Sequence, residues 1–580
     1  MKNLKYILAA SAWLVFSSCS EDVLDTEAKD AFAEDFVYSS ANNLETLVVT
    51  SYNSTEGWAQ NRFDWWGRRF NIENASFESK FNFNNLNLFS LRGTGLAAGN
   101  GGGARWNRKW DNYFHYVRGI NEFMDRVDNS EAMANEPDAV NILKAEMRFL
   151  RANLYFKLIN LFGGVPIMES ALGLDAESFN LPRNSYKECV DFIVGELDAA
   201  AAVLPETRPG SEFGRATSLA ALAVKSRLLV YAASAQHDPA NTVDVPRGTL
   251  YDYDVATKWQ DASNAAKAII DLVGGRDLIA TPDAAAYQAL FLSPNEDILF
   301  ARPYGSEFYE FGTDVNSLWD KTQSPPGYDG WGLSSPTHNF ALQFNMADGT
   351  GTSEVGTSYD PVNPNDNREM RYYADLLFNG AEFRGREVQY WLAHDHATNE
   401  NAVNGLESPK TIVGNALHSS KTGYNIRKFQ DESIETSGIS AGRPRILYRL
   451  AEIYLNYAEA QYHLGNEAEA RTYLNKVSSR ALQPEITDSG IDLYEAIKRE
   501  RRVELCFEMH NFFDERRWME KDHLGFDIQG LLWEKDAVGN INHTGVYTVV
   551  NRPFYVKHYY LPIPNSEIEK APAVEQNTGY

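Results

Sequence analysis

Cysteine is scarce in this sequence. Three cysteines occur among 580 residues, at positions 19, 189 and 506, and so few cannot form a disulfide-stabilised scaffold. A hydrophobic core must therefore supply the stability, and a hydrophobic content of 43% is enough for a large one. Cys189 and Cys506 each lie in an amphipathic helical pattern, which predicts two buried free thiols; a disulfide between them is the alternative.

Positive charge is also in short supply. Lys and Arg number 54 against 79 Asp and Glu, so the formal net charge is −25. A surface this acidic repels phosphate backbones and anionic headgroups. We therefore exclude nucleic acid and anionic lipid surfaces as ligands.

Catalytic and metal-binding motifs are absent from the sequence as well. It contains no HExxH, no GxSxG, no P-loop and no Cys/His spacing typical of a metal site. Gly93-Thr94-Gly95 resembles a dinucleotide fingerprint only loosely, because no strand pattern precedes it. We expect no enzymatic activity, no catalytic residue, no metal and no cofactor.

The one hydrophobic run of note lies at the N-terminus. Lys2 and Lys5 precede an apolar stretch, residues 6–16, of about ten residues, which is too short to span a bilayer and is typical of a signal peptide. No later segment approaches eighteen consecutive apolar residues, so we expect no other membrane span.

The signal ends in a motif for lipidation. Phe16-Ser17-Ser18-Cys19 is a loose lipobox, in which the cysteine is acylated and becomes the mature N-terminus. We expect a signal peptide at residues 1–18, a lipid anchor on Cys19 and a flexible tether at 19–39. Two or more acyl chains are enough for stable membrane attachment. A cleaved secretory signal with an incidental cysteine is the alternative.

Helical periodicity dominates the body of the chain. Seven segments have apolar residues at three- and four-residue spacing and end at Gly or Pro or at a polar turn; they are residues 141–161, 186–204, 217–235, 255–272, 445–464, 467–481 and 494–518. Gly465, Ala470, Leu474 and Val477 have the small-residue and apolar spacing of tetratricopeptide helix pairs. The pairs are separated by unequal insertions, which predicts an irregular helical scaffold rather than a solenoid.

Two long stretches lack helical periodicity. Residues 56–103 and 282–440 are rich in Gly, Pro, Asn, Asp and aromatic residues, with short strand-like runs at 298–301 and 372–378. Long insertions on a rigid body commonly carry binding function. The sequence predicts a single, mainly α domain at residues 40–580, with irregular tetratricopeptide-like helix pairs, loop-rich insertions and a few short strands.

A cluster of charges near the C-terminus has a structural explanation. Arg499, Glu500, Arg501, Arg502 and Glu504 lie on adjacent faces of a predicted helix, where they can form ion pairs and cover aromatic side chains. We therefore expect this cluster, and the nearby aromatic residues, to belong to the scaffold and not to a catalytic site.

The best candidate ligand site lies in the first insertion. A sugar ring is bound through flat aromatic faces and planar polar groups that contact its hydroxyls. Trp65 and Trp66 are adjacent, flanked by Asp64 and Arg68, in a loop where two indoles are hard to bury together. We expect at least one of the two to stack on a ligand; the alternative is that both anchor the loop to the scaffold.

The second candidate is the segment 319–331, WDKTQSPPGYDGW. Its Pro-Pro-Gly sequence stiffens a turn, and Tyr328, Asp329 and Trp331 crowd the far side of that turn. We expect Tyr328 or Trp331 to form an aromatic platform, Asp329 to bind hydroxyls and Trp319 to be the weakest candidate.

Five segments together resemble the SusD/RagB family of Bacteroidetes outer-membrane lipoproteins. They are AEMRFLRANLYFKLINLFGGVPI (145–167), FGRATSLAALAVKSRLLVYAAS (213–234), RPRILYRLAEIYLNYAEAQYHLG (443–465), AIKRERRVELCFEMHNFFDERRW (496–518) and YYLPIPNSEIEKAPAVEQNTGY (559–580). The chain departs from the family pattern at Met509, where glycine is favoured, at Asn511 and at Glu515.

The resemblance implies a function. Members of the family are cell-surface lipoproteins that bind glycans without catalysis and cap a SusC-like TonB-dependent transporter, with glycan contacts from the N-terminal insertion and from loops before the signature Pro336-Thr337. It implies an outer-membrane location facing the cell exterior, for which Glu21-Asp22 resembles an export signal. A peptide cargo, as in the RagB branch, and a periplasmic tetratricopeptide-type scaffold are the alternatives.

Overall fold

The computed structural model describes residues 34–55, 72–82, 107–173, 179–303, 319–399, 401–409, 418–434 and 442–580. Cys19 and the predicted signal peptide lie outside these residues. In the described part of the chain no helix is long and apolar enough to cross a membrane.

Helices are the main regular secondary structure of the described residues. In chain order they are α1 (Glu34–Val37), α2 (Ala41–Ser51), α3 (Asn107–Val127), α4 (Glu131–Asn135), α5 (Pro137–Phe162), α6 (Tyr186–Ala201), α7 (Ser218–Ala233), α8 (Lys258–Leu272), α9 (Ala284–Ala289), α10 (Trp319–Gln323), α11 (His338–Ala341), α12 (Met370–Asp375), α13 (Leu450–His463), α14 (Glu467–Ser478), α15 (Gly490–Glu504), α16 (Asn511–Arg517), α17 (Lys521–Leu524) and α18 (Asn565–Lys570).

The longest helix shows how local sequence sets its ends. Pro137 occupies the first turn of α5, where its missing N–H costs nothing. Gly163 ends the helix with a φ of +76°, and a Cβ there would lie 2.8 Å from the carbonyl oxygen of Leu250. The predicted helix at 141–161 is therefore confirmed, with a first turn that the periodicity did not reveal.

The long helices pack as consecutive antiparallel neighbours. α5 packs on α6, α6 on α7, α7 on α8, α8 on α13 and α13 on α14. The turn between α13 and α14 contains Gly465 at a φ of +82°, as the helix-hairpin prediction requires. The predicted irregular scaffold of helix pairs is confirmed.

Two of the predicted helices are wrong in part. Residues 445–449 form a strand, and the segment 494–518 is interrupted between α15 and α16, where Phe507 and Met509 adopt left-handed φ angles of 60° and 70°. The strand-like run 372–378 is divided: residues 372–375 belong to helix α12, whereas Leu376 and Leu377 form a short strand. Periodicity over seven residues cannot distinguish a short helix from a strand.

The strands form five small sheets. They are β1 (Ser79–Phe81), β2 (Ile298–Arg302), β3 (Ser334–Pro336), β4 (Leu376–Leu377), β5 (Glu382–Phe383), β6 (Arg386–Glu387), β7 (Leu392–Ala393), β8 (Asn425–Ile426), β9 (Arg445–Arg449), β10 (Phe526–Lys535) and β11 (Ile541–Arg552). They pair as β1–β3, β2–β9, β4–β8, β5–β6 and β11–β10–β7. Most of them lie in the loop-rich region and tie its segments together.

The described residues contain four hydrophobic clusters, of which two are large. The main core joins α2 to α8 with α13 to α15, and Trp110 and Tyr113 of α3 are buried in it. A second core lies under the loop-rich region; it contains Tyr287, Phe291, Trp319, Phe340, Phe344, Tyr372, Phe429, Cys506 and Phe507. Cys189 and Cys506 are both buried and free, so the prediction of two thiols is confirmed.

The charge cluster of α15 belongs to the scaffold, as expected. Glu504 is fully buried and contacts Arg371, Arg449 and Arg480, and Arg501 donates to Asp514 at 2.8 Å. Burial disfavours the ionised Glu504, yet the surrounding guanidinium groups outweigh that cost and hold its pKa well below the usual range.

Candidate functional site

Half of the predicted site residues fall outside the described part of the chain. These are Asp64, Trp65, Trp66 and Arg68. The other four are described: Trp319 is the first residue of α10, and Tyr328, Asp329 and Trp331 lie in the turn that follows this helix.

This turn is held by its own backbone. Gly330 N donates to Pro325 O at 3.1 Å, Trp331 N donates to Lys321 O at 2.8 Å, and Gly332 N donates to Ser324 O at 2.9 Å. Asp329 takes the left-handed conformation at a φ of 57°, which asparagine and aspartate tolerate better than most residues. A Cβ on Gly330 would collide with the carbonyl oxygen of Ser324, so only glycine fits there.

Trp319 is not available to a ligand in this structure. Its side chain is 2% exposed, its Nε1 donates to Lys428 O at 3.1 Å, and its ring lies edge-on to Phe429 at 5.7 Å. The indole fills the second core because α10 turns it inward. We therefore remove Trp319 from the candidate binding residues.

Tyr328 is held on several sides by protein. Its hydroxyl donates to Arg386 O at 3.1 Å, the Arg386 guanidinium lies 3.8 Å from its ring centroid, and Phe383 contacts the ring edge-on at 4.9 Å. Arg386 is itself fixed by the buried Glu407 at 2.6 Å. Burial raises the pKa of the Tyr328 phenol. This ring anchors the turn on the β5–β6 hairpin, an environment that does not favour the platform role expected from sequence.

Trp331 has a more open environment. It is half-buried against the main core, and its ring centroid lies 6.5 Å from that of His418. Lys321 Nζ donates to the Asp329 carboxylate at 2.9 Å, and the Asp329 side chain is 78% exposed. We call Lys321, Asp329, Trp331 and His418 the Trp331 patch. It contains a half-buried indole, an imidazole and an ion pair whose carboxylate is exposed while its lysine is mostly buried.

The Trp331 patch borders the described part of the N-terminal insertion. Asn82 N donates to Leu333 O at 2.9 Å, and β1 pairs with β3 immediately after Trp331. Asn74 Nδ2 also donates to Ser334 Oγ at 3.0 Å. The described residues 72–82 of the first insertion therefore border the segment that follows Trp331, at β1 and β3.

The surroundings of β1 are basic. Lys80 is buried in β1, and burial, with the nearby charges of Arg552 and Lys421, lowers its pKa to about 7. Arg552 donates to the carbonyl oxygens of Asn74, Ser76 and Ser79. These cations fix the base of the insertion in a chain that is otherwise strongly acidic.

Sequence reasoning missed two members of the Trp331 patch. Lys321 lies inside the quoted segment, and its charge next to Asp329 was the signal that could have identified it. His418 comes from a loop 87 positions after Trp331, and no spacing rule connects the two. Only the tertiary contact joins them.

Outside the Trp331 patch, the described residues contain cavities but no metal-binding cluster. No group of three His, Cys, Asp or Glu side chains in the described residues could hold a metal ion. Two cavities of about 700 and 960 Å³ lie along α3, and none of the Trp331 patch residues lines them.

Comparisons with known proteins agree on one family. The SusD family model matches residues 296–580, and a model described as starch-binding and associating with the outer membrane matches residues 24–230.

SusD-like protein P25 of Formosa agariphila is 25% identical over 485 residues, covering 81% of this chain and 79% of the relative. A solved SusD-like protein from Bacteroides fragilis is 26% identical, with a TM-score of 0.74, covering 94% of this chain and 99% of its own. A second B. fragilis structure, described as a SusD-like carbohydrate-binding protein, is also 26% identical, with a TM-score of 0.71, covering 93% and 99%.

Proposed function

This chain belongs to the SusD family, and from that premise we propose that it is a non-catalytic, cell-surface glycan-binding lipoprotein. It captures a poly- or oligosaccharide and delivers it to a SusC-like TonB-dependent transporter in the outer membrane. The observation that carries the proposal is the Trp331 patch, where the half-buried indole of Trp331 and the ion pair of Lys321 with the exposed Asp329 belong to one short segment, residues 319–331.

Each residue of the patch has a role in sugar binding. The Trp331 indole stacks on the apolar C–H face of a sugar ring, and Asp329 and Lys321 bind its hydroxyl groups. A rigid turn lowers the entropic cost of binding, because little of it has to become ordered. Sugars exchange hydrogen bonds with water for hydrogen bonds with protein, so the affinity of one site is modest.

The first insertion contributes the second half of the site. Trp66 lies six positions before Ile72, a span of at most roughly 22 Å. The segment that follows Ile72 borders the Trp331 patch. We therefore retain Trp65, Trp66, Asp64 and Arg68 as proposed ligand contacts.

The membrane attachment and the partner complete the proposal. Acylated Cys19 holds the protein in the outer membrane with its body facing the exterior, which agrees with a family model described as outer-membrane-associating. The rigid helical body, joined to the loop-rich region by buried ion pairs, suits a lid that closes over a transporter barrel.

Affinity electrophoresis tests the glycan site. Gels containing soluble starch, xylan, galactan or polygalacturonate should retard the mature protein in at least one case. Trp331→Ala and Trp66→Ala should each reduce that retardation about tenfold or more in apparent affinity. Tyr555→Ala, which removes an exposed aromatic ring (43% exposed) outside the patch, is the matched control and should bind like wild type.

The same experiment separates glycan from peptide cargo. If no polysaccharide retards the wild-type protein and a mixture of extended peptides binds it instead, the glycan proposal is wrong and the RagB-like alternative replaces it.

Localisation is tested in cells. Cys19→Ala should release the protein from the membrane fraction, and protease added to intact cells should degrade the wild-type protein. Survival of the protein under that protease would favour the periplasmic scaffold, and failure to co-purify with a SusC-like transporter would exclude the delivery step.

A further inference from the structure

The larger of the two cavities along α3 is separate from the Trp331 patch. It is a cleft of about 960 Å³ between helices α1 and α2 on one side and α3 on the other, and no residue of the Trp331 patch lines it. Its volume lies at the upper end of the range for small-molecule sites, about 300–1,000 Å³. We call it the α3 cleft. It has room for a ligand that the Trp331 patch does not account for.

One wall of the α3 cleft is open because it contains a glycine. Gly119 is an exposed residue in the middle of α3, and no atom lies within 4 Å of the position that a Cβ would take there. The α3 residues that line the cleft extend from His115 to Arg126, a span of about 16 Å along the helix axis. A cleft of this length suits a segment of an extended ligand better than a single monosaccharide.

Hydrogen bonds fix the walls of the cleft. Arg118 Nη1 donates to Leu172 O at 3.0 Å, which holds the segment 171–172 against α3. On the opposite side, Ala132 N donates to Tyr38 O at 3.0 Å. Little of the cleft therefore has to become ordered when a ligand binds, which lowers the entropic cost of binding.

Three side chains with rings line the cleft. His115 is exposed, and Tyr38 and Tyr116 are half-buried. Within the described part of the chain, neither the two phenolic hydroxyls nor the imidazole forms a hydrogen bond with protein. Both kinds of group can donate and accept hydrogen bonds. The cleft therefore combines aromatic surface with hydrogen-bonding groups that the protein itself does not use.

The charges that line the cleft are balanced. They are two arginines, Arg118 and Arg126, and two carboxylates, Glu122 and Asp125. Arg118 Nε donates to Glu122 Oε1 at 2.9 Å, and both side chains remain partly exposed. Burial and, after it, the Glu122 carboxylate raise the pKa of Tyr38, so this carboxylate lies near the opposite wall. A cleft with balanced charges favours a neutral ligand, whose hydroxyls can bind the guanidinium and carboxylate groups.

We propose that the α3 cleft is a second glycan site, which binds a short segment of a neutral polysaccharide. Tyr38 and Tyr116 contact its sugar rings, and Arg118 and Glu122 bind its hydroxyl groups. The choice of a glycan rests on the proposed function. Two sites on one protein strengthen the attachment of a long polysaccharide, because the second site binds at a high effective concentration once the first is occupied.

Filling the cleft tests the proposal without removing a protein contact. Gly119→Leu places a side chain in the open space and should weaken binding to soluble starch, xylan or galactan, whichever retards the wild type, about tenfold in apparent affinity. Its melting temperature should not fall, because leucine favours a helix more than glycine does. Gly195→Leu is the matched control and should bind like wild type, since Gly195 is an exposed glycine of α6 that also has no atom within 4 Å of an added Cβ.

Two further variants test the contacts and the independence of the two sites. Tyr116→Phe removes only the hydroxyl and should weaken binding about fivefold. The double variant Gly119→Leu/Trp331→Ala should lose roughly the product of the two single effects, because substitutions at sites without shared partners are usually additive.

The outcomes separate this proposal from the proposed function. If Gly119→Leu and Tyr116→Phe bind like wild type while Trp331→Ala binds weakly, the cleft is not a glycan site and the proposed function stands. If Gly119→Leu binds weakly while Trp331→Ala binds like wild type, the cleft is the glycan site and the Trp331 patch is not. An equal loss in Gly195→Leu would show that the effect does not arise in the cleft and would overturn the proposal.

The choice of polysaccharide gives a further test. Polygalacturonate is anionic, so any retardation that it causes should be the same for Gly119→Leu and for wild type. If polygalacturonate alone retards the wild type, the proposal of a neutral ligand is wrong, although the protein remains a glycan-binding protein. If none of the four polysaccharides retards the wild type, both proposals fall.

Discussion

Trp319 and Trp331 lie twelve positions apart, at the two ends of the segment 319–331, and have opposite environments. Trp319 is 2% exposed and hydrogen-bonded to a backbone carbonyl, whereas Trp331 is half-buried at the surface. Tyr328 between them is fixed by Arg386 and Phe383. At the scale of single residues, three aromatic side chains of one segment therefore differ in role: Trp319 belongs to the core, Tyr328 anchors the turn, and Trp331 is the proposed ligand platform.

The anchoring role of Tyr328 can be measured. Tyr328→Phe removes the hydrogen bond to Arg386 O and should lower the free energy of unfolding by about 1 kcal/mol. Glycan binding should stay within twofold of wild type, because the ring and its contacts remain. A loss of binding as large as that of Trp331→Ala would instead return Tyr328 to the ligand site.

The buried carboxyl group of Glu459 should make the free energy of unfolding depend on pH. Burial opposes its ionisation, but two hydrogen bonds from Arg517 at 2.7 and 2.8 Å outweigh the burial and lower its pKa to about 2. A carboxyl with a lowered pKa stabilises the fold above its ordinary pKa and loses that contribution as the pH falls towards 2. The shift corresponds to roughly 3 kcal/mol at neutral pH.

Urea unfolding of Glu459→Gln and wild type tests this dependence. The difference in unfolding free energy should be largest at pH 7 and should shrink between pH 4 and pH 2. A difference that is independent of pH would show that the carboxylate charge contributes nothing.

At the scale of elements, glycines and residues with left-handed φ angles determine where the chain turns. The break between α15 and α16 contains Met509 at a φ of 70°, which explains why the family favours glycine there. The two other residues that depart from the family pattern contact the first insertion. Asn511 Nδ2 donates to Glu78 Oε2 at 3.0 Å, and Glu515 accepts a hydrogen bond from Phe77 N at 2.9 Å. These unusual residues therefore join α16 to the segment that leads to the candidate site.

Two glycine substitutions should have opposite effects. Gly330→Ala places a Cβ against Ser324 O and should cost roughly 2 kcal/mol of stability and weaken glycan binding, because it distorts the turn before Trp331. Gly119→Ala lies in α3 with no atom within 4 Å of the added Cβ and should stabilise the protein by about 0.5–1 kcal/mol. Thermal and urea unfolding measure the stability of both variants. If Gly330→Ala and Gly119→Ala changed the free energy of unfolding equally, the close contact described at Gly330 would be contradicted.

At the scale of the whole molecule, buried ion pairs connect the helical scaffold to the loop-rich region. Glu504 of α15 contacts Arg449 at the end of β9, Arg480 after α14 and Arg371 of α12. Lys428, whose carbonyl oxygen accepts the hydrogen bond from Trp319, donates through its Nζ to Glu508 at 2.9 Å. The loop-rich region that contains the proposed ligand residues is thus joined to the helical scaffold by buried ion pairs and is not a separate folding unit.

Glu504→Gln tests this connection. The substitution leaves three buried arginines without their shared carboxylate, which typically costs about 3–5 kcal/mol. Chemical denaturation should show this loss. Glu495→Gln on the same helix, where the side chain is 55% exposed, is the control and should change stability by less than about 0.5 kcal/mol. A small effect at Glu504 would mean that the network is not needed for stability.

The helices were largely predictable from the sequence, because apolar periodicity and terminal Gly or Pro are local signals. The predictions failed where contacts distant in sequence decide the structure. Residues 445–449 form a strand because β2 pairs with them. The long hairpin of β10 and β11, rich in Thr, Val and Tyr, was not predicted at all.

The sequence by itself determined the family resemblance, the helical scaffold and the segment that contains Trp331, since each depends on residues close along the chain. Only the tertiary structure decided that Trp319 is buried, that Arg386 covers Tyr328 and that His418 stands beside Trp331. The physical reason is that the exposure of a side chain and the packing of its ring depend on segments tens of residues apart. Local sequence patterns do not determine which of those segments come into contact.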